Sequence, residues 1–204
     1  MDVRSAIATG MWGICVCVGT IVMVRYQLTP GSAATPPKAY LQVAKSPKAN
    51  LMVFLHPQCA CSRATVSELS KILTLEKGAF QTTLYFYRPS KESDSWCKET
   101  NLWHEANRIP GTTLKIDSDG KIAKSFGARC SGQVLLYSAD VGKLVFSGGI
   151  TSSRGNEGES VGEDVILQYA HSGKCSVPTT PVYGCAIWSD LDANPTVAGV
   201  QGAR

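Results

Sequence analysis

Three patterns of apolar and polar residues follow one another along the chain. The first is a run of twenty residues without a charge between Arg4 and Arg25, SAIATGMWGICVCVGTIVMV. As a helix rising about 1.5 Å per residue it spans a hydrocarbon core of roughly 30 Å. It predicts one transmembrane anchor over residues 5–24, preceded by a flank at residues 1–4. Gly10, Gly13 and Gly19 suit lipid better than the interior of a buried soluble helix. A cleaved signal peptide is the competing reading, because Ser32 and Ala34 are small residues at alternate positions. The length of the run, and the Arg25 and Thr29-Pro30-Gly31 segment between it and that site, favour a retained anchor. The second pattern, over residues 25–48, sets Pro30, Pro36, Pro37 and Pro47 among Gly, Ser, Ala and Thr and predicts an extended tether.

The third pattern is that of a folded domain over residues 49–188, followed by a tail at residues 189–204. LMVFL at 51–55 is short, continuous and apolar, which suits a strand covered on both faces. Val66, Leu69, Ile72, Leu73 and Leu75 then recur at helical spacing from Cys61 to Glu76, with Gly78 as a stop. TTLYFYRP at 82–89 alternates as a strand and ends at a proline. A polar insert with Trp96, Cys97 and Trp103 leads to a helix around Asn101 to Arg108, and Asp119-Gly120 marks a turn. Residues 134–138 and 143–147 read as an antiparallel hairpin. After the Gly-rich stretch TSSRGNEGES, Val161, Val165, Ile166 and Tyr169 form a helical stripe ended by Gly173. The predicted order is β, α, β, α, β, β, α.

Composition narrows the function classes. With 44% hydrophobic and 18% charged residues, the 204-residue chain is neither disordered nor collagen-like nor multi-spanning. Its net charge of +4 is spread along the sequence without a block of like charges, which argues against a nucleic-acid partner. Eight cysteines are too few for a disulfide-built miniprotein, so their positions matter more than their number. Cys15 and Cys17 lie in the apolar run, where a thiol acts as a small hydrophobe. Cys175 and Cys185 flank a Pro-containing segment and read as a structural disulfide or as two separate thiols, and Cys97 has no evident partner.

Candidate chemistry concentrates in HPQCACS, between the first strand and the first helix of the domain. A cysteine at a helix start meets unpaired backbone N–H groups and the positive end of the helix dipole, both of which favour thiolate. Cys59 is the expected nucleophile, with Cys61 as its resolving thiol and His56 and Arg63 as accessory positive groups. Side chains two apart on a helix point about 200° away from each other, so Cys59 must be non-helical to pair with Cys61. Such a small ring is strained and easily reduced, which predicts a comparatively oxidising couple. No cofactor and no metal are called for, and no nucleotide fingerprint, hydrolase triad or paired-carboxylate site is present in the sequence.

The order of elements, with this cysteine motif at the first strand–helix junction, resembles the thioredoxin fold. That implies a three-layer α/β domain around a central mixed sheet, here preceded by one transmembrane helix. Phe54 to Cys59 align with the stretch leading to the attacking cysteine of thioredoxins, placing Ser62 where the second cysteine stands. Ala-Arg-Cys-Ser-Gly-Gln puts Cys130 and Ser131 at the place of the proline that precedes the hairpin in that fold, a loop that faces the active cysteine. By this resemblance Cys130 is an alternative resolving thiol. Over most of residues 50–188, FLHPQCACSRAT, FGARCSGQVLLY, FSGGITSSRGNEG and TTPVYGCAIW are similar to bacterial RedB-type proteins, which implies a redox role.

Three functional readings follow. The first is a membrane-tethered thiol:disulfide oxidoreductase of the bacterial inner membrane, its domain on the extracytoplasmic side and its partners protein thiols or disulfides or a small thiol. The second is a Cu(I)-handling protein of the cytochrome oxidase assembly type, using the two thiolates and His56. The third is a non-catalytic interaction module, to which Ser62 and Ser131 give weight.

Overall fold

The computed structural model describes residues 2–31, 46–139 and 142–188. Most of the expected tether, the whole of the tail at 189–204 and residues 140–141 in the hairpin connection lie outside the described residues. The uncharged run forms the interior of α1 (Val3–Leu28), which continues through Arg25 and stops at Thr29. Pro30 follows, and a proline disfavours helical backbone in the residue before it. The helix is long and apolar enough to cross a membrane, and its large side chains, among them Trp12, Ile14, Ile21 and Met23, are exposed.

The domain is built on β1 (Ala49–Leu55), whose seven residues are all buried. β1 runs parallel to β2 (Phe80–Arg88), which runs parallel to β3 (Thr112–Ser118). On its other side β1 pairs antiparallel with β4 (Gln133–Tyr137), and β4 with β5 (Leu144–Gly149). The mixed sheet therefore has the order β3-β2-β1-β4-β5, with the most apolar strand at its centre. Alternation along β1 divides the core in two. Leu51, Val53 and Leu55 pack with Leu69 and Ile72 of α2 (Ala60–Leu75), Leu102 and Ala106 of α4 (Asn101–Asn107) and Ile166 of α6 (Val161–Ser172). Met52 and Phe54 face the opposite layer, made by Ala123 of α5 (Lys121–Ser125) and by Ile187 near the end of the described chain. These are the three layers around a mixed sheet expected from the sequence. The short α3 (Ser95–Lys98) sits in the polar insert and buries Cys97.

Besides α3, two elements add to the expected order. Residues 112–118 form a strand at the sheet edge, where Leu114 and Ile116 are only partly buried and Lys115 points outward, so their apolar signal is short and diluted. The turn at Asp119-Gly120 is present, with φ of 56° and 64°, and starts α5. The buried Asp117 carboxylate supplies that helix with acceptors for the Ile122 and Ala123 N–H groups, each at 2.8 Å. A helix of five residues gives no readable period, which is why the pattern alone does not announce it.

The loop before β4 is drawn onto the head of α2. Gly132 donates its N–H to the Phe54 carbonyl at 2.7 Å, and its φ of +84° lies in the left-handed region. A Cβ at this position stands 2.6 Å from Thr65 Oγ1. Gly132→Ala is expected to lower the unfolding free energy by about 1–3 kcal/mol through strain and overlap together. Urea titration of the two proteins checks this, and an unchanged midpoint disproves the close packing of loop and helix.

Candidate active site

Cys59 is the N-cap of α2 and has extended backbone, φ −104° and ψ 127°, so it is non-helical as pairing with Cys61 requires. His56, Pro57 and Gln58 form the turn that brings it there, closed by the Cys59 N–H donating to the His56 carbonyl at 3.1 Å. Ser62, at the place of a second thioredoxin cysteine, is buried and serves as a strut. Its hydroxyl accepts the His56 N–H at 2.9 Å and ties the end of β1 to the first turn of α2.

Three segments converge on the Cys59 sulfur. The Cys61 thiol donates to it from the same turn of helix, and the Ser131 hydroxyl donates to it at 3.2 Å from the loop before β4. The Cys185 thiol reaches it at 3.3 Å from the C-terminal segment. The Ser62 N–H also favours the thiolate, contributing less than Ser131 and more than Cys185. Together these donors outweigh burial, with Cys61 the largest contributor, and bring the Cys59 pKa down to about 3. Cys59 is a thiolate at neutral pH. The main support is thus a set of thiol and hydroxyl donors, ahead of the positive charges expected of His56 and Arg63. Burial lowers the His56 pKa, against the pull of Cys59, and Arg63 is exposed on α2.

The same interactions act on the neighbours with opposite sign. Cys61 is pushed far up by its hydrogen bond to Cys59, by burial and by the negative sulfur beside it, with the Gly155 N–H opposing. Cys185 is pushed up to about 11 by burial and then by its hydrogen bond to Cys59 and the charge there. Cys130 is buried and raised chiefly by burial, and its neighbour Ser131 donates to the nucleophile.

Of the two readings of Cys175 and Cys185, a disulfide or separate thiols, the structure shows separate thiols. Cys175 donates to the Val177 carbonyl at 3.2 Å, while Cys185 lies against Cys59. Residues 178–188 form an extended strap that crosses β5 and the loop before β4. Ser147 donates to the Pro178 carbonyl at 2.9 Å, Ser131 to the Cys185 carbonyl at 2.8 Å and Ile187 to the Arg129 carbonyl at 2.7 Å. Cys185 in turn donates its N–H to Ser131 Oγ at 3.1 Å. No local signal marks Cys185: it is separated from Cys59 by 126 residues and lies in no periodic element.

The Gly-rich stretch after β5 also belongs to the site's wall. Gly155 faces Cys61 through its N–H, and the buried Glu68 carboxylate holds the stretch to α2 by accepting the Gly158 N–H at 2.6 Å. Arg154 donates to the Gly184 carbonyl at 3.0 Å and to the Thr29 carbonyl at 3.1 Å, and stacks on Tyr26 at 5.2 Å. Gly31 donates to the Val182 carbonyl at 2.8 Å, so the end of α1 docks beside the strap. On the other flank, the His56 ring stacks on Tyr87 at 5.4 Å and meets the edge of Trp96 at 5.6 Å. His56 Nδ1 accepts the Gln58 N–H, and His171 is paired with Glu76 at 3.2 Å on α6. Among the described residues, no group of three or more His, Cys, Asp or Glu side chains is arranged to hold a metal ion.

Comparison with known proteins bears on the fold. No family model matches the chain, and no curated protein matches it. Among solved structures it is similar to an uncharacterised conserved protein from Geobacillus kaustophilus, at 22% identity and TM-score 0.58, covering 80% of this chain and 90% of that one. A hypothetical protein from Sinorhizobium meliloti 1021 follows at 19% identity and TM-score 0.55, covering 80% and 98%. A secreted Mycobacterium tuberculosis disulfide oxidoreductase is more distant, at 17% identity and TM-score 0.43 over 62% and 83%. The mixed five-stranded sheet in the order β3-β2-β1-β4-β5, with helices on both faces, makes the fold thioredoxin-like.

With a pKa near 3, alkylation of Cys59 by iodoacetamide is expected to be nearly independent of pH between about 5 and 8, whereas an ordinary thiol of pKa about 8.5 slows roughly ten-fold per unit over that range. Ser131→Ala removes a donor that stabilises the thiolate, so it moves the inflection upward. An inflection in the ordinary thiol range for the unmodified protein contradicts this electrostatic account.

Proposed function

We propose that this protein is a membrane-anchored, thioredoxin-like thiol:disulfide oxidoreductase in which Cys59 attacks and Cys61 resolves. The observation that carries the reading is the Cys59 sulfur, a thiolate at a helix N-cap on the edge of a site open through the exposed Cys185. The thiolate is the nucleophile of disulfide exchange, and its access decides which sulfur it meets.

Cys59 attacks one sulfur of a disulfide on a protein or small-molecule partner, forming a mixed disulfide and releasing the other partner sulfur as thiolate. Cys61 then attacks the Cys59 sulfur, and the partner leaves as a thiol carrying the proton Cys61 gives up. The reverse sequence passes a disulfide to a dithiol. Low thiolate pKa stabilises the reduced form, and the small ring through a single intervening residue strains the oxidised one, so both effects favour donating disulfides. Ser62 as a strut and Ser131 as a donor to the nucleophile support catalysis over the reading of an inactive module.

The apolar α1 supports anchoring in the bacterial inner membrane through one helix, with the domain on the extracytoplasmic side and residues 25–48 joining the two. The similarity of FLHPQCACSRAT and FGARCSGQVLLY to RedB-type proteins agrees with a redox role.

Redox titration of the intact protein in detergent with glutathione, read by differential alkylation and mass spectrometry, tests the proposal. Cys59 and Cys61 are expected to oxidise together at a potential on the oxidising side of about −200 mV, and Cys59→Ser to abolish disulfide exchange. Failure of Cys59 to form any disulfide at any poise overturns the assignment.

A further inference from the structure

The scheme above leaves an exposed thiol 3.3 Å from the nucleophile without a role. We propose that Cys185 is a second resolving thiol, which attacks Cys59 in its mixed disulfide and closes a Cys59–Cys185 bond that fastens the C-terminal strap across the site. This rests on the reading of Cys59 as the nucleophile of disulfide exchange.

Position is the first argument. To bond, the two sulfurs need only close from 3.3 Å to about 2.05 Å. Ser131 sets both partners at once: its hydroxyl donates to the Cys59 sulfur and accepts the Cys185 N–H, and its own N–H donates to the Cys185 carbonyl. Gly184 makes this approach possible, since a Cβ there stands 1.8 Å from the Ser131 carbonyl oxygen. Cys61 lies differently. It is 5% exposed, fixed in the first turn of α2 and covered by the Gly155 N–H, whereas Cys185 is exposed on an extended segment able to move toward its target.

Ring strain is the second argument. A Cys59–Cys61 bond closes a ring through a single intervening residue, while a Cys59–Cys185 bond joins two segments that approach through space and carries no such local constraint. Cys185 therefore has a favourable course from either starting point, a mixed disulfide or a Cys59–Cys61 bond.

Atoms and electrons balance as Cys59–S–S–R plus Cys185–SH giving Cys59–S–S–Cys185 plus R–SH. The new bond is Cys185 Sγ to Cys59 Sγ. The bond from Cys59 Sγ to the partner sulfur breaks, its electron pair leaves on the partner, and the proton lost by Cys185 ends there. The partner's disulfide is the oxidant.

The electrostatics time the step. While Cys59 is a thiolate, its hydrogen bond and its charge keep Cys185 protonated. Once Cys59 carries the partner its sulfur is neutral and both influences vanish, which leaves burial as the main effect holding the Cys185 proton, with Arg154 pulling the other way. Cys185 becomes easier to deprotonate at the stage where it must attack.

The test uses the full-length protein in detergent, as wild type, Cys61→Ser, Cys185→Ser and the double variant. Each is oxidised with glutathione disulfide and its links are mapped by proteolysis without reduction. A Cys59–Cys185 peptide is expected in the wild type and as the main product in Cys61→Ser. Glutathione held on Cys59 is expected to rise roughly ten-fold in the double variant relative to Cys61→Ser, because no resolving thiol remains. If Cys61→Ser holds glutathione on Cys59 without that peptide, or links Cys59 to Cys130, the role of Cys185 is overturned while Cys59 remains a working nucleophile. If Cys59 in the wild type takes up neither glutathione nor an internal partner, the oxidoreductase reading fails as well.

Discussion

The structure is organised around one negative sulfur held partly out of water. Removing a thiolate from solvent is unfavourable unless donors replace the water it loses. At Cys59 those donors come from the first turn of α2, from the loop before β4 and from the strap at 178–188. Each is far from the others in sequence, so the anionic state exists only when the sheet, the loop and the strap are assembled together. The glycines at 132 and 184 mark the places where backbone passes too close for a side chain.

That single charge also ranks the other thiols. A thiolate accepting hydrogen bonds from Cys61 and Cys185 keeps both protonated, and its conversion to a neutral disulfide sulfur releases them. In the proposed cycle, attack and resolution are thereby separated in time by electrostatics, without a moving part larger than a side chain or a short strap. The strap is in turn joined to α1 through Arg154, which bonds the Gly184 and Thr29 carbonyls. The site thus lies beside the end of the apolar helix, and a partner approaching Cys59 meets that helix end, the Gly-rich wall and the aromatic flank of His56, Tyr87 and Trp96.

The parts of this arrangement legible in the sequence are those with a local physical signature. LMVFL reads as a buried strand because both of its faces are covered, and α2 and α6 read from apolar spacing whose members Val66, Leu69, Ile72, Val165 and Ile166 are buried, while Leu75 and Val161 at the helix ends are exposed. Cys59 reads as a reactive cysteine from its place at a strand–helix junction, where backbone geometry alone favours the thiolate. Edge strand β3 and the five-residue α5 escape because one is half exposed and the other is shorter than two turns.

By itself, then, the sequence determined an apolar N-terminal helix, an α/β core ordered around one central strand and a cysteine at the head of a helix. These follow from periodicity and from neighbours within a few residues. Only the tertiary structure decided what surrounds the sulfur: that Ser131 donates to it, that hydroxyl and thiol donors support it ahead of His56 and Arg63, and that Cys185 meets it while Cys175 stands apart. Those choices depend on how the loop before β4 and an irregular C-terminal strap cross the sheet. Such crossings are set by close backbone contacts and hydrogen bonds between distant residues, which leave no period and no spacing in the chain.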